Sequence, residues 1–420
     1  MKRTTNSMPR RVFLAGGAAA FVNASLAQSP SPREPIRSLR PMTAGVKPIT
    51  REERLGRQEK ARRLMRENNL QAIFMTGGSS LFYFTGTRAG SAEGLVGLVI
   101  PAEGELAWVI PETAQATLRN KVTFGTDVRT WGKEPPHKRI AQILADRKCS
   151  TGRLGLEESV PFGIYDALRN VAPGLQIMSA DPVTSGCRMI KSPAEIALMQ
   201  HATDITIAAY RAGLATLQEG MTQNDLKRNI TAAYDALGFP GEVAVSFGKY
   251  TAFPHGSIEP QKLQLGDVVQ IDDGCSVDGY QSDVTRTVVF GKPTARQTQV
   301  WNLEHAAQTA AFAAAQPGAT CESVDAAARR VITSAGFGPG YKVPGLPHRT
   351  GHGIGLDIHE WTYLVQGNKT PLRPGMFFSD EPMIAIYGEF GIRLEDCMYI
   401  TGDGPRMFSK PSPAIDQPFG

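Results

Sequence analysis

The chain has 420 residues, 41% hydrophobic and 8% aromatic, enough for about two domains that each bury a core. Its formal charge of +5 would suit a nucleic-acid binder, but Lys2, Arg3, Arg10 and Arg11 carry most of that excess before any acidic residue appears. No basic, aromatic-interleaved patch follows, so composition excludes a nucleic-acid footprint, and with it a disordered chain or a solenoid of short repeats.

Residues 1–27 read as an export signal: a basic start, an apolar stretch from Val12 to Val22 too short to span a bilayer, and small residues at Ser25 and Ala27 suited to signal peptidase. Arg10-Arg11-Val12-Phe13-Leu14 resembles a twin-arginine signal, an address rather than an anchor. A periplasmic protein without a stable membrane anchor is expected; an ordinary secretory signal, or a basic tail that happens to look like one, is the alternative. Residues 28–50, with Pro30, Pro32, Pro35, Pro41 and Pro48, read as an extended tether.

Residues 51–187 read as a small α/β domain. The pattern predicts a helix over 51–69, a strand over 71–75, two strands within 94–110 split by Pro101-Ala102-Glu103-Gly104, helices over 138–146 and 164–171, and a strand over 153–156 between them. Cys149, Cys187, Cys275, Cys321 and Cys397 have no short spacing, which argues against a zinc knuckle or a disulfide framework and for buried thiols.

A second domain is expected over 188–405, with a tail over 406–420. Ser192-Pro193 with Glu195 marks a capped helix start, repeated at Thr222/Asp225 and Thr294/Gln297. This domain reads as duplicated. Gln218-Glu219-Gly220-Met221-Thr222 recurs as Gln316-Pro317-Gly318-Ala319-Thr320, Gly238-Phe239 as Gly336-Phe337, and Phe253-Pro254-His255-Gly256 as Thr350-Gly351-His352-Gly353. Leu263 to Gly266 leads to Asp272 as Leu372 to Gly375 leads to Glu381.

Each half then supplies a second carboxylate, Asp283 or Glu395, across a glycine-bearing turn. In the first half the turn is Asp278-Gly279, which favours a type I′ hairpin and sets Asp272 opposite Thr285, with Asp283 a diagonal neighbour. The bland alternative is a polar hairpin with both carboxylates in water. Four carboxylates and a histidine meeting at a pseudo-twofold would be too much charge for a dry core, and divalent cations with an oxygen-rich shell resolve it.

Four stretches carry a resemblance: Lys191-Ser192-Pro193-Ala194-Glu195-Ile196, Ile271-Asp272-Asp273-Gly274 through Thr287, Pro347-His348 through His359-Glu360, and Gly391-Ile392-Arg393-Leu394-Glu395-Asp396. Together they resemble the metallopeptidase family with the pita-bread fold, which includes methionine aminopeptidase, aminopeptidase P and prolidase. The resemblance implies an α+β architecture: a pseudo-twofold, antiparallel pita-bread domain with helices on its outer face, after a smaller creatinase-like α/β domain. It implies two divalent ions, Mn²⁺ first, with Co²⁺, Zn²⁺ or Fe²⁺ also fitting, held by Asp272, Asp283, His352, Glu381 and Glu395. Asp283 and Glu395 would bridge, and Glu381 would relay a proton.

By the same resemblance His255 and His359 would donate to the substrate carbonyl, while His348 would line the pocket or meet the product carboxylate. Arg393 would order the site and could meet a substrate carboxylate. The implied activity is hydrolysis of Xaa-Pro bonds in short peptides, by a homodimer or homotetramer. The alternatives are a lyase or amidinohydrolase of the same fold acting on a small zwitterion, and a silent binding module. Two features depart from the family pattern. Met383 stands where Glu-Pro-Gly-Ile-Tyr would have glycine, and Asp273 beside Asp272 is expected to face away from the metals.

Overall fold

The computed structural model describes residues 34–89 and 94–420; the export signal expected at 1–27 lies outside the described residues. The described part of the expected tether is fastened down rather than free. A helical turn, α1 (Glu34–Arg37), buries Ile36, and the Met42 N–H donates to the Leu237 carbonyl at 2.9 Å. The Ile49 N–H donates to Asp278 Oδ2 at 3.3 Å. Prolines keep the segment out of longer helices and ladders, while Ile36 and Ile49 supply the apolar anchors.

The first domain runs α2 (Arg51–Glu67), β1 (Ala72–Thr76), α3 (Ser79–Thr85), β2 (Gly97–Pro101), β3 (Ala107–Pro111), α4 (Gln115–Arg119), β4 (Asp127–Trp131), α5 (Pro136–Asp146), β5 (Gly152–Leu156), α6 (Phe162–Val171), β6 (Leu175–Ser179) and α7 (Asp181–Arg188). Its strands form one mixed sheet in the order β4-β3-β2-β1-β5-β6. The pairing is antiparallel through β1-β2-β3 and parallel on either side. β2 and β3 are buried along their whole length, as their unbroken apolar runs require of strands covered on both faces.

The second domain begins with α8 (Pro193–Leu214) and α9 (Gln223–Leu237), then β7 (Ala244–Phe247), β8 (Val268–Asp272), β9 (Ser276–Val277), β10 (Tyr280–Gln281) and β11 (Arg286–Val289). The other half follows with α10 (Ala295–Ala314), α11 (Cys321–Ser334), β12 (Gly351–Gly353), β13 (Glu360–Leu364), β14 (Phe377–Asp380), β15 (Met383–Ile386), β16 (Phe390–Arg393), β17 (Asp396–Thr401) and β18 (Gly404–Met407). Reciprocal capping boxes form at Ser192/Glu195, Thr222/Asp225 and Thr294/Gln297, each satisfying two N–H groups that a helix start would otherwise leave unpaired.

The duplication is visible bond by bond. Gly220 donates to the Leu263 carbonyl and Gly318 to the Leu372 carbonyl, both at 2.8 Å; Leu263 and Leu372 return bonds to Met221 and Ala319, again both at 2.8 Å. Gly238 and Gly336 end their helical regions in the left-handed conformation, at φ 89° and 88°. Antiparallel sheets β11-β8-β7 and β13-β12-β14-β17-β18 meet through a bridge between Thr285 and Glu395. This is the pita-bread fold, with a creatinase-like α/β domain before it. The final residues fold back onto it: Phe408 donates to the Cys397 carbonyl at 2.9 Å, and Ile415 is buried. The five cysteines are free and buried, and among the described residues no helix is long and apolar enough to cross a membrane.

Candidate metal centre

Asp278 and Gly279 have φ of 50° and 88°, the type I′ turn the sequence predicts. The separate ladders at Val277↔Tyr280 and Ile271↔Arg286 keep the same register, which sets Asp272 against Thr285. Gly274 is required beside this ladder, since a Cβ there would lie 2.3 Å from the Ser282 carbonyl oxygen. Asp273 differs from expectation. It is not a regular strand residue but takes φ 94°, ending β8, while its carbonyl accepts from Tyr210 (2.9 Å) and from the Val284 N–H (3.1 Å). Burial, then the charge of Asp272, pushes its carboxyl up to about 7.

Asp283, His352 and Glu395 are buried, and each offers a ligand atom within 4.8 Å of the others. Glu381 and Asp272 join at the two ends. His352 Nε2 lies 3.1 Å from Glu381 Oε1 and 3.5 Å from Asp283 Oδ2. The Thr285 hydroxyl lies 2.6 Å from Asp272 Oδ1 and 2.7 Å from Glu395 Oε2. The sequence-predicted set therefore converges at the seam between the halves, each carboxylate at the end of a strand or in the short link between two strands.

Three observations fit divalent cations to these residues. Thr285 has one hydroxyl hydrogen for two carboxylates. Glu395 Oε1 is buried without a hydrogen-bond partner. His352 Nδ1 lies 3.1 Å from the Gly353 carbonyl, which needs the Nδ1–H tautomer and so turns the Nε2 lone pair toward the oxygens of Asp283 and Glu381. Lone pairs facing lone pairs in a buried site require a positive charge between them. Burial first, then the neighbouring carboxylates, pushes Asp283 and Glu395 well above the usual carboxylate range.

The remaining sequence-predicted residues surround this point. The His359 ring stands edge-on to His352, centroids 4.1 Å apart, and its partial burial, with the cationic Arg349 nearby, pushes it down to about 4, so it is neutral at pH 7. His348 is lowered by burial; its Nδ1 lies 2.7 Å from the Arg349 carbonyl and its Nε2 is buried without a partner. His255 is exposed, in the segment whose Pro254 carbonyl accepts from Arg393 Nη1 at 3.1 Å. Arg393 also pairs with Asp272 and donates from Nε to Thr285 at 3.1 Å, so its guanidinium is spent on the shell itself. His137, His201 and His305 lie on helices.

Met383, which stands where the family pattern has glycine, is fully buried in the apolar core. Its Cε lies 2.7 Å from where a Cβ on Gly391 would be, so that glycine makes the room. Sequence reasoning gave no role to Thr285 or Arg286. Arg286 is fully buried, pairs with Asp396 at 2.7 Å and donates to the Glu395 carbonyl at 2.9 Å, tying the strand after Asp283 to the strand after Glu395. The signal for Thr285 was its place opposite Asp272 in the hairpin.

Two family models match the chain: metallopeptidase family M24 over residues 197–402, and the creatinase/prolidase N-terminal domain over residues 57–190. A probable dipeptidase, PepE, of Mycobacterium tuberculosis is 36% identical over 342 residues, covering 80% of this chain and 88% of the relative. An Xaa-Pro dipeptidase of Pyrococcus horikoshii is 29% identical, covering 82% and 94%. Among solved structures, dipeptidase PepE from Mycobacterium ulcerans superposes with a TM-score of 0.78 at 32% identity, over 87% of this chain and 97% of that one. A prolidase from Thermococcus sibiricus gives a TM-score of 0.78 at 29% identity, over 87% and 98%. The chain belongs to metallopeptidase family M24. It is a metal-dependent hydrolase, and the family implies divalent ions where the carboxylates and His352 converge.

Proposed function

We propose that the protein is an exopeptidase hydrolysing Xaa-Pro bonds in short peptides, of the Xaa-Pro dipeptidase or aminopeptidase P type, with two divalent cations, Mn²⁺ first among them. The observation that carries this is the convergence of Asp272, Asp283, His352, Glu381 and Glu395 on one buried point with His348 and His359 beside it, in a chain similar over four-fifths of its length to dipeptidases. In this reading Asp283 and Glu395 would serve both ions, Asp272 would complete one set, and His352 with Glu381 would complete the other. When bound, the cations supply Lewis acidity and lower the pKa of the attacking water toward neutrality.

The protein's own groups do the rest. Glu381 takes the proton from the water and delivers it to the leaving prolyl nitrogen, which has no hydrogen of its own. His359, neutral at pH 7, keeps one N–H to donate to the carbonyl oxygen as charge builds there, with His255 beside it. His348 lines the pocket, its partnerless Nε2 free for the substrate. Arg393 pairs with Asp272 and holds its carboxylate in place. A lyase or amidinohydrolase on the same fold is disfavoured, because the relatives of the chain are dipeptidases.

The test is a peptide panel with Mn²⁺-loaded protein: Gly-Pro, Gly-Pro-Ala and Gly-Ala. Release of the residue before proline, with Gly-Ala inert, is expected; cleavage of the dipeptide alone identifies a dipeptidase, and cleavage of the tripeptide an aminopeptidase. No turnover of either proline peptide by metal-loaded protein contradicts the proposal. We also propose export to the periplasm by the twin-arginine route, checked by cell fractionation with Arg10 and Arg11 changed to lysine, which should leave the protein in the cytoplasm.

A further inference from the structure

We infer that Glu360, clamped by Arg188 of the first domain and Lys191 at the start of the second, is a positioning residue that sets the His359 imidazole against His352; this rests on the role given to His359 above. Lys191 and Glu360 lie in two of the sequence motifs, far apart in the chain, and the metal centre uses neither. The fold brings them to 2.9 Å, Lys191 Nζ to Glu360 Oε2, while Arg188 Nη2 reaches Glu360 Oε1 at 2.5 Å. All three side chains are nearly dry, at 10%, 2% and 5% exposure for Arg188, Lys191 and Glu360. An exposed pair of this kind would fix little, but buried charges hold a single geometry because each alternative strands a charge.

The segment that carries His359 is wrapped around this carboxylate. Glu360 Oε1 accepts the Leu356 N–H at 2.8 Å and the Asp357 N–H at 3.3 Å. A Cβ on Gly355 would lie 2.5 Å from Oε1, so glycine is the residue that lets the chain close over it. The far side of the same loop is pinned from the first domain: Asp357 Oδ2 meets Arg188 at 2.5 Å and Asp357 Oδ1 accepts from Ser79 at 2.5 Å. The second domain's own hairpin adds the Gln281 N–H, donating to the Gly355 carbonyl at 2.8 Å. His359 is itself exposed, so its place 4.1 Å from His352 is set by this pinned loop. Arg188 and Lys191 in turn keep Glu360 ionised, its carboxyl lowered to about 2 despite its burial.

The test compares full-length, Mn²⁺-loaded wild type, Glu360→Asp, His359→Ala and the double variant on Gly-Pro. Glu360→Asp keeps the charge between the two cations but withdraws it by one methylene, so it preserves folding where Glu360→Gln would strand Arg188 and Lys191. Expected are unchanged Mn²⁺ stoichiometry, a fall in kcat of about 10-fold to 100-fold and a KM within about 3-fold of wild type. In the His359→Ala background the same change should cost less than about 2-fold, because its effect runs through that ring. Arg188→Lys, which keeps charge but loses the fork, should repeat the pattern more weakly. Histidine-labelled, metal-free protein gives a readout independent of turnover: the His359 ring resonance, assigned by its loss in His359→Ala, should move in Glu360→Asp. Equal losses of kcat in both backgrounds, or an unmoved His359 resonance, overturn the inference. If wild type turns over no Xaa-Pro peptide, the reading of the site fails, and the resonance alone still decides on Glu360.

Discussion

The two halves of the second domain deliver their carboxylates by the same route and hold the intervening hairpin by different means. Between Asp272 and Asp283 the hairpin is short and polar, with a tight turn at Asp278-Gly279, and it is fixed from outside. Arg57 donates to the Tyr280 hydroxyl at 3.0 Å, Tyr280 to Glu195 at 2.9 Å, and Ile49 to Asp278. Between Glu381 and Glu395 the hairpin is longer and apolar. Its ladder runs from Met383↔Arg393 to Ile386↔Phe390, with Met383, Ile384, Ala385 and Ile392 fully buried. One ligand pair is thus placed by specific polar contacts with the first domain, the tether and α8, the other by core packing. A side chain in the second is accommodated by volume, as Met383 is beside Gly391.

The largest effect expected from this comparison is on turnover. Neutralising one carboxylate of each half, Asp283→Asn or Glu395→Gln, should each lower kcat/KM by about 10³-fold or more, and the double variant should lose little beyond either single one, because both serve the same pair of ions. Additive losses would break the symmetry between the halves.

Met383→Ala sharpens the contrast in mechanism. Deleting a fully buried side chain should cost about 2–5 kcal/mol in denaturant unfolding, while the preference for Gly-Pro over Gly-Ala stays as in wild type. A changed preference would mean that the second hairpin reads substrate after all.

A third prediction concerns pH. Asp283 and Glu395 have native pKa values raised above those of the unfolded chain, so between the two values the native state binds more protons and stability falls as pH rises. Melting of metal-free protein should therefore shift to lower temperature from about pH 5 to pH 8. Mn²⁺ should reverse the shift, and Asp283→Asn should flatten it. The smallest effect is at the first turn: Asp278→Ala, which puts an ordinary residue at φ 50° and removes the acceptor for Ile49, should cost about 1–2 kcal/mol.

Much of this was legible in the sequence because the signals were local. Asp278-Gly279 sets a register that carries Asp272 to Thr285, the three capping pairs mark helix starts, and the repeated glycines mark the duplication. What was not legible depends on distant packing. α3 is a run of aromatic and β-branched residues with no helical polar face, and it is helical because its buried side chains are covered from every side. β4 and β6 are short, half-exposed edge strands without clear alternation. The site residues given no role from sequence, Arg188, Arg286 and Glu360, are charged groups whose partners lie more than a hundred residues away, and no periodicity reports such a pairing.

The most direct measurement is a titration of metal-free protein with Mn²⁺, counting ions bound per chain in wild type, Asp283→Asn and Glu395→Gln. Two ions per wild-type chain, with binding lost or reduced in both variants although each changes a different half, is the predicted result. A single ion in wild type, or two ions retained when either half is neutralised, would contradict a centre built jointly by the two hairpins.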